Sequence, residues 1–161
     1  MENMNRREMC LALSAFAALG TVSSLAQSSG APSNQADKKD PVLSESRTFA
    51  YDQLPVTPSP NGGAMRKVLS GVLPTGEFIE VHETTLPPGK MPHPPHRHRN
   101  SEVVFIREGN VEFINDGKPE PVGPGGVIFT ASNVLHGLKN VGDTPANYFV
   151  IAISRAQPEK T

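Results

Sequence analysis

From Val68 to Ile153 the chain alternates apolar and polar residues in short runs, each closed by glycine, proline or an Asn/Asp turn. A period of two is the mark of half-buried strands. The pattern predicts strands over 67–73, 77–86, 97–107, 111–114, 127–130, 134–139 and 147–154. Between them lie Pro74-Thr75-Gly76, Pro87-Pro88-Gly89, Glu108-Gly109-Asn110, Gly123-Pro124-Gly125-Gly126 and Gly142-Asp143. Asn115-Asp116-Gly117 is the clearest hairpin signal. Phe49, Tyr51 and Leu54 alternate loosely within 46–54 and suggest an edge strand, whereas Pro55, Pro58 and Pro60 are expected to block regular structure beyond it. With about eight short strands and no helical period after residue 26, the fold class is all-β, a sandwich or barrel with a jelly roll among the options. An immunoglobulin-type sandwich competes, but leaves the histidines described below unexplained.

The first residues break this pattern. Arg6 and Arg7 precede a weakly hydrophobic, alanine-rich stretch from Leu11 to Leu25, and Ser24-Leu25-Ala26 supplies small residues for cleavage before Gln27. This reads as a signal peptide at 1–26, too short and too diluted for a spanning helix. The reading implies export to the periplasm or beyond, with no stable membrane anchor. Asn5-Arg6-Arg7-Glu8-Met9-Cys10-Leu11 partly resembles a twin-arginine signal, which exports folded proteins. That route would let a site capture Mn or Fe in the cytoplasm, before meeting the tighter-binding Cu or Zn outside. Residues 27–63, rich in Ser, Pro, Asn, Asp and Lys, read as linker and N-terminal arm, 64–155 as the barrel and 156–161 as a tail.

Composition narrows the functions. Fifteen Lys and Arg against sixteen Asp and Glu leave a net charge of −1, so no basic surface points to nucleic acid. The single cysteine, Cys10, excludes an internal disulfide and stands too early for lipidation at a cleavage site. A core of roughly a hundred residues buries about two-thirds of its unfolded surface and folds without such staples.

The chemistry gathers in His93-Pro-Pro-His96-Arg-His98, with Glu102 four residues on. In one strand His96, His98 and Glu102 share parity and aim at one point, while Arg97 and Arg99 face away. Neutral imidazoles and a carboxylate suit first-row divalent ions, and His136 can complete the set from across a barrel. An HxH pair alone is also a common solvent-exposed feature, so the coincidence of further residues decides. His93 reads as a loop residue at the mouth, or a base near the site. His82 shares parity with Glu80 and reads as a hydrogen-bonded barrel histidine, or a pocket-lining one.

Those coincidences exist. Gly89, His96-Arg-His98, Glu102 and Gly109 resemble the first motif of the cupin family, with the loop after Gly89 one residue longer than usual. Gly125, Ala131-Ser132-Asn133, His136 and Asn140 resemble its second motif. Ala131 stands for the usual Pro and Asn133 for the usual Gly, and Asn tolerates the positive φ needed there. The resemblance covers about ninety residues and implies a cupin jelly-roll, or double-stranded β-helix, barrel. It implies one divalent metal ion (Mn, Fe, Zn, Ni or Cu, with Mn or Fe favoured) on His96, His98, Glu102 and His136. It also implies a homodimer and a small-molecule ligand or substrate. Two functions follow: a metal-dependent oxygenase, isomerase or lyase acting on a small polar or phenolic molecule, or a non-catalytic metal- or ligand-binding module of the envelope.

Overall fold

A computed structural model describes residues 40–155. The expected leader, the linker up to residue 39 and the tail lie outside the described residues. Nine strands form two antiparallel sheets: β1 (Val56–Pro58), β2 (Ala64–Val72), β3 (Glu77–Leu86), β4 (Ser101–Glu108), β5 (Val111–Asn115), β6 (Lys118–Val122), β7 (Val127–Thr130), β8 (His136–Asn140) and β9 (Ala146–Arg155). The large sheet has the order β1-β2-β3-β9-β4-β7, and the small one β6-β5-β8. Among the described residues the only helical element is a 3-10 turn at Tyr51–Gln53. The described residues form an all-β jelly-roll barrel.

Alternation explains the packing. Val104 and Ile106 of β4, Ile128 and Thr130 of β7, and Tyr148 and Val150 of β9 point inward and are buried. They meet Val111 and Phe113 of β5 and Leu138 of β8, so the core lies between the two sheets. Asp116 (φ 46°) and Gly117 (φ 84°) form the two-residue loop between Asn115 and Lys118, as the hairpin signal requires.

Four local expectations are corrected. Residues 56–58 form a strand despite Pro55 and Pro58, pairing Val56 with Arg66 and Pro58 with Ala64. This strand lies at a sheet edge, where the missing proline N–H is tolerated. The unexpected β6 carries Pro119 and Pro121 for the same reason, being the outer strand of the small sheet. Residues 46–54 form no strand; Gln53 N–H donates to Ala50 O and Leu54 N–H to Tyr51 O in a 3-10 turn. Finally, β4 starts at Ser101 and not at residue 97, because His96 bridges to His136 instead and the chain bends at Arg99 and Asn100.

The two motifs are stitched together by their non-ligating members. Asn140, fully buried, donates from Nδ2 to Leu86 O (2.9 Å) and Thr144 O (2.8 Å) and accepts from Gly142 N–H (3.0 Å). Its carbonyl accepts from the N–H of Gly89, itself at φ 71°. Every polar group of this amide is thus used in joining β3, β8 and the following turn.

Candidate metal centre

His96 forms an isolated antiparallel bridge to His136: each backbone N–H donates to the other's carbonyl, at 2.9 and 3.0 Å. Asn133, at φ 60°, turns the chain before β8 and donates its N–H to His98 O (2.8 Å). Its own carbonyl accepts from Arg97 Nη1 (2.8 Å). The second motif therefore braces the first through the backbone. The left-handed residue expected at position 133 is present, and its N–H fixes His98 in place.

The side chains converge. One ligand atom from each of His96, His98 and His136 lies within 4.8 Å of the others, an arrangement that could hold a metal ion. Glu102 adjoins them, with Oε1 3.1 Å from His98 Nε2 and Oε2 3.7 Å from His136 Nε2. The route differs from the expected one. A single strand running through 97–107 does not align these residues; His96 is aligned by its bridge to β8 and His98 by the turn at Asn133, and only Glu102 sits within β4.

The tautomers follow from the backbone. His98 Nδ1 lies 3.0 Å from Asn100 O, and His136 Nδ1 lies 2.9 Å from Val134 O. A carbonyl only accepts, so both Nδ1 atoms carry the hydrogen, and in the neutral tautomer each Nε2 presents its lone pair. Those lone pairs face the carboxylate oxygens of Glu102. Acceptors facing acceptors repel unless a cation lies among them. His136 Nε2 and His96 Nδ1 are moreover buried without a hydrogen-bond partner, an expensive condition for polar nitrogen. Burial, then the neighbouring His93, His136 and His98, push the His96 imidazole below its ordinary value. It therefore stays neutral, as a ligand must be. A metal ion held by the three imidazoles could satisfy nitrogens of this group.

The cluster opens onto a cavity of about 230 Å³ inside the barrel. Its walls combine Met65, Val104, Phe113, Leu138 and Val150 with the polar His82, Thr84, Thr130 and Tyr148, and Glu102 and His136 reach into it from the cluster. His93 is exposed at the rim, its ring centre 4.2 Å from that of His96. Arg97 and Arg99 point to solvent, and Arg97 is held by Asn133 O and by Asp116 (3.3 Å). The residues that sequence reasoning passed over are Thr130 and Tyr148. Their inward parity on β7 and β9 is the signal that could have found them.

A histidine-lined jelly-roll barrel defines the class. Residues 82–152 match the family model described as the cupin domain. The structure is similar to an RmlC-like cupin from Shewanella frigidimarina (19% identity, 71% of this chain and 96% of that one, TM-score 0.57). It is also similar to a predicted oxalate decarboxylase from Thermotoga maritima (22%, 66% and 98%, TM-score 0.54) and to KdgF from a Halomonas species (14%, 69% and 96%, TM-score 0.58). These neighbours share the fold, and the stretch that matches the cupin domain spans β3 to β9. A search of curated proteins found no significant match.

Proposed function

We propose that this chain is an exported, metal-dependent enzyme acting on a small molecule, with one divalent transition ion held by His96, His98, Glu102 and His136. The carrying observation is that three imidazoles and a carboxylate gather at one point, and that two of the four, Glu102 and His136, line a cavity with several polar groups of its own. Three histidines and one carboxylate leave coordination positions free, which separates a reactive site from a closed structural one. Such an ion supplies Lewis acidity, and with iron or manganese also redox chemistry, at the cavity wall. The protein supplies the rest: Nδ1 hydrogen bonds that orient two rings, and a cavity whose walls are largely apolar. Oxygenase, isomerase and lyase chemistry all suit this donor set, and manganese or iron suits its oxygen-and-nitrogen character. A non-catalytic binding module is the alternative.

The proposal includes a homodimer. Phe105 of β4, Val127 and Phe129 of β7 and Ile153 of β9 stand exposed on the outer face of the large sheet, Phe129 at 67%. Phe105 pairs directly with Val127, so these side chains form one patch at the β7 edge. Contiguous apolar surface of this kind marks an interface, and a second copy offers the same patch about a two-fold axis. A Phe129→Lys variant is expected to sediment as a monomer where the parent sediments as a dimer; equal behaviour would remove this face as the interface. Among the described residues no helix is long and apolar enough to cross a membrane.

Native mass spectrometry of the full-length chain, expressed in a bacterial host and recovered from the envelope fraction, reads three of these claims together. The expected species starts at Gln27, is a dimer and carries one transition ion per subunit. A metal-free species that takes up no added ion would end the metal reading. A product screen under air and under argon then separates the reactions: turnover only in air selects the oxygenase, and no turnover with any ion selects the binding module.

A further inference from the structure

Beside the histidine cluster, two polar groups with hydrogen-bonding capacity to spare stand next to each other on neighbouring strands. Thr130 of β7 is 2% exposed and lines the cavity, yet its Oγ1 is buried without a hydrogen-bond partner. A hydroxyl in that condition is taken out of water with no bond to offset the loss. Valine has the same shape and would fill the position without that cost. The hydroxyl is therefore the feature of this side chain that calls for a partner.

The partner is on the next strand. Thr130 is in register with Glu102 of β4, and both line the cavity. Side chains directly opposite on antiparallel strands have Cβ atoms about 4.5–5.5 Å apart, so side-chain rotation alone brings such a hydroxyl and carboxylate together. On its other flank Glu102 is in register with Ala152 of β9, whose methyl group donates nothing. The ring nitrogens beside the carboxylate, His98 Nε2 at 3.1 Å and His136 Nε2 at 3.7 Å, offer lone pairs in the neutral tautomer, not hydrogens. Of the two side chains paired with Glu102, Thr130 alone carries a donor. Glu102 also needs direction more than the histidines do. The rings of His98 and His136 are tied through Nδ1. The group whose ligand atoms all lie within 4.8 Å of one another contains the three histidines but not Glu102. A carboxylate that binds a metal through one oxygen is ordinarily held by a hydrogen bond to the other.

We propose that Thr130 is a positioning residue for the metal: its hydroxyl donates to one oxygen of Glu102 and turns the other toward the three imidazoles. This deepens the proposed function and rests on its metal site. The hydroxyl is no ligand itself and acts only through Glu102. Its removal therefore weakens the grip on the ion without removing any of the four metal-binding side chains.

The test is calorimetric titration of the chelator-stripped proteins with zinc. Thr130→Val, which keeps the shape and loses the hydroxyl, should bind zinc about tenfold more weakly, the low end for losing a group that orients a ligand. Thr130→Ala should lose as much, and Thr130→Ser, which keeps the hydroxyl, should bind as the wild type does. Glu102→Ala still has three histidines, so its weaker affinity remains measurable. In that background Thr130→Val should cost nothing further, because the hydroxyl has lost the group it acts through. Wild-type zinc affinity in both Thr130→Val and Thr130→Ala would overturn this proposal alone. So would a loss that persists in full without Glu102, or a Thr130→Ser protein as weak as Thr130→Val. A wild type that takes up no zinc would instead overturn the metal assignment, and this proposal with it.

Discussion

A His136→Ala variant loses stoichiometric uptake of a divalent transition ion, its affinity falling by at least about 100-fold. Removing a group that merely orients a metal ligand costs 10–100-fold, and His136 is a ligand in the proposed site. Its Nε2 is buried, carries the lone pair, and has no hydrogen-bond partner. The backbone does not depend on the ring: the bridge to His96 and the pairing with Asn115 are main-chain contacts, which alanine keeps. The chelator-stripped variant should therefore retain the far-ultraviolet spectrum of its parent. His93→Ala is the control. His93 is exposed at the rim, with Nδ1 donating to Pro94 O, and lies outside the three-histidine group. Its loss should leave uptake intact. Calorimetric titration of the stripped proteins with manganese and zinc checks both, and undiminished binding by His136→Ala would sink the metal assignment.

How the cluster was legible in the sequence, and how it was not, follows from the kind of contact each residue makes. Alternation along 127–130 and 147–154 found strands because each has one face in the core, and burial imposes a period of two. It missed β1 and β6 because both are edge strands of exposed residues, where nothing imposes that period and proline is tolerated. At the cluster, parity suggested that His96, His98 and Glu102 converge, and they do, but through long-range backbone contacts. The bridge from His96 to His136 spans forty residues, and the brace from Asn133 to His98 thirty-five. No local period encodes such contacts. What carried the information was the spacing of the two motifs, including Asn133, the one non-glycine residue type well suited to its φ. Glu83 shows the opposite limit. It reads as a polar strand residue with parity away from the cavity, yet it is fully buried, because the arm before the barrel folds over it.

That arm sets up the second large effect: Arg66→Met lowers stability by about 3 kcal/mol, the low end for stranding one member of a buried ion pair. Glu83 Oε2 is 3.0 Å from Arg66 Nη1, and its Oε1 accepts from Tyr51 Oη at 3.2 Å. The Arg66 guanidinium, from β2, and that of Arg107, from β4, lie over the Tyr51 ring at 4.7 and 4.6 Å. Tyr51 belongs to the 3-10 turn, so one aromatic ring fastens the arm across three strands of the large sheet. With Arg66 gone, the carboxylate stays buried with only neutral donors in contact, and it must be desolvated without its partner. Methionine fills the space of the stem, so packing contributes little to the loss. For a domain of about this size the melting temperature should drop by roughly 10–20 °C. A second change, Glu83→Leu, removes the stranded charge. The double variant should regain most of that loss, because a buried ion pair and an apolar pair of similar volume differ little in net stability. Differential scanning calorimetry of the metal-free proteins reads both. An Arg66→Met protein melting with its parent would show that this pair holds nothing, and a double variant no better than the single would show that the arm depends on packing instead of charge.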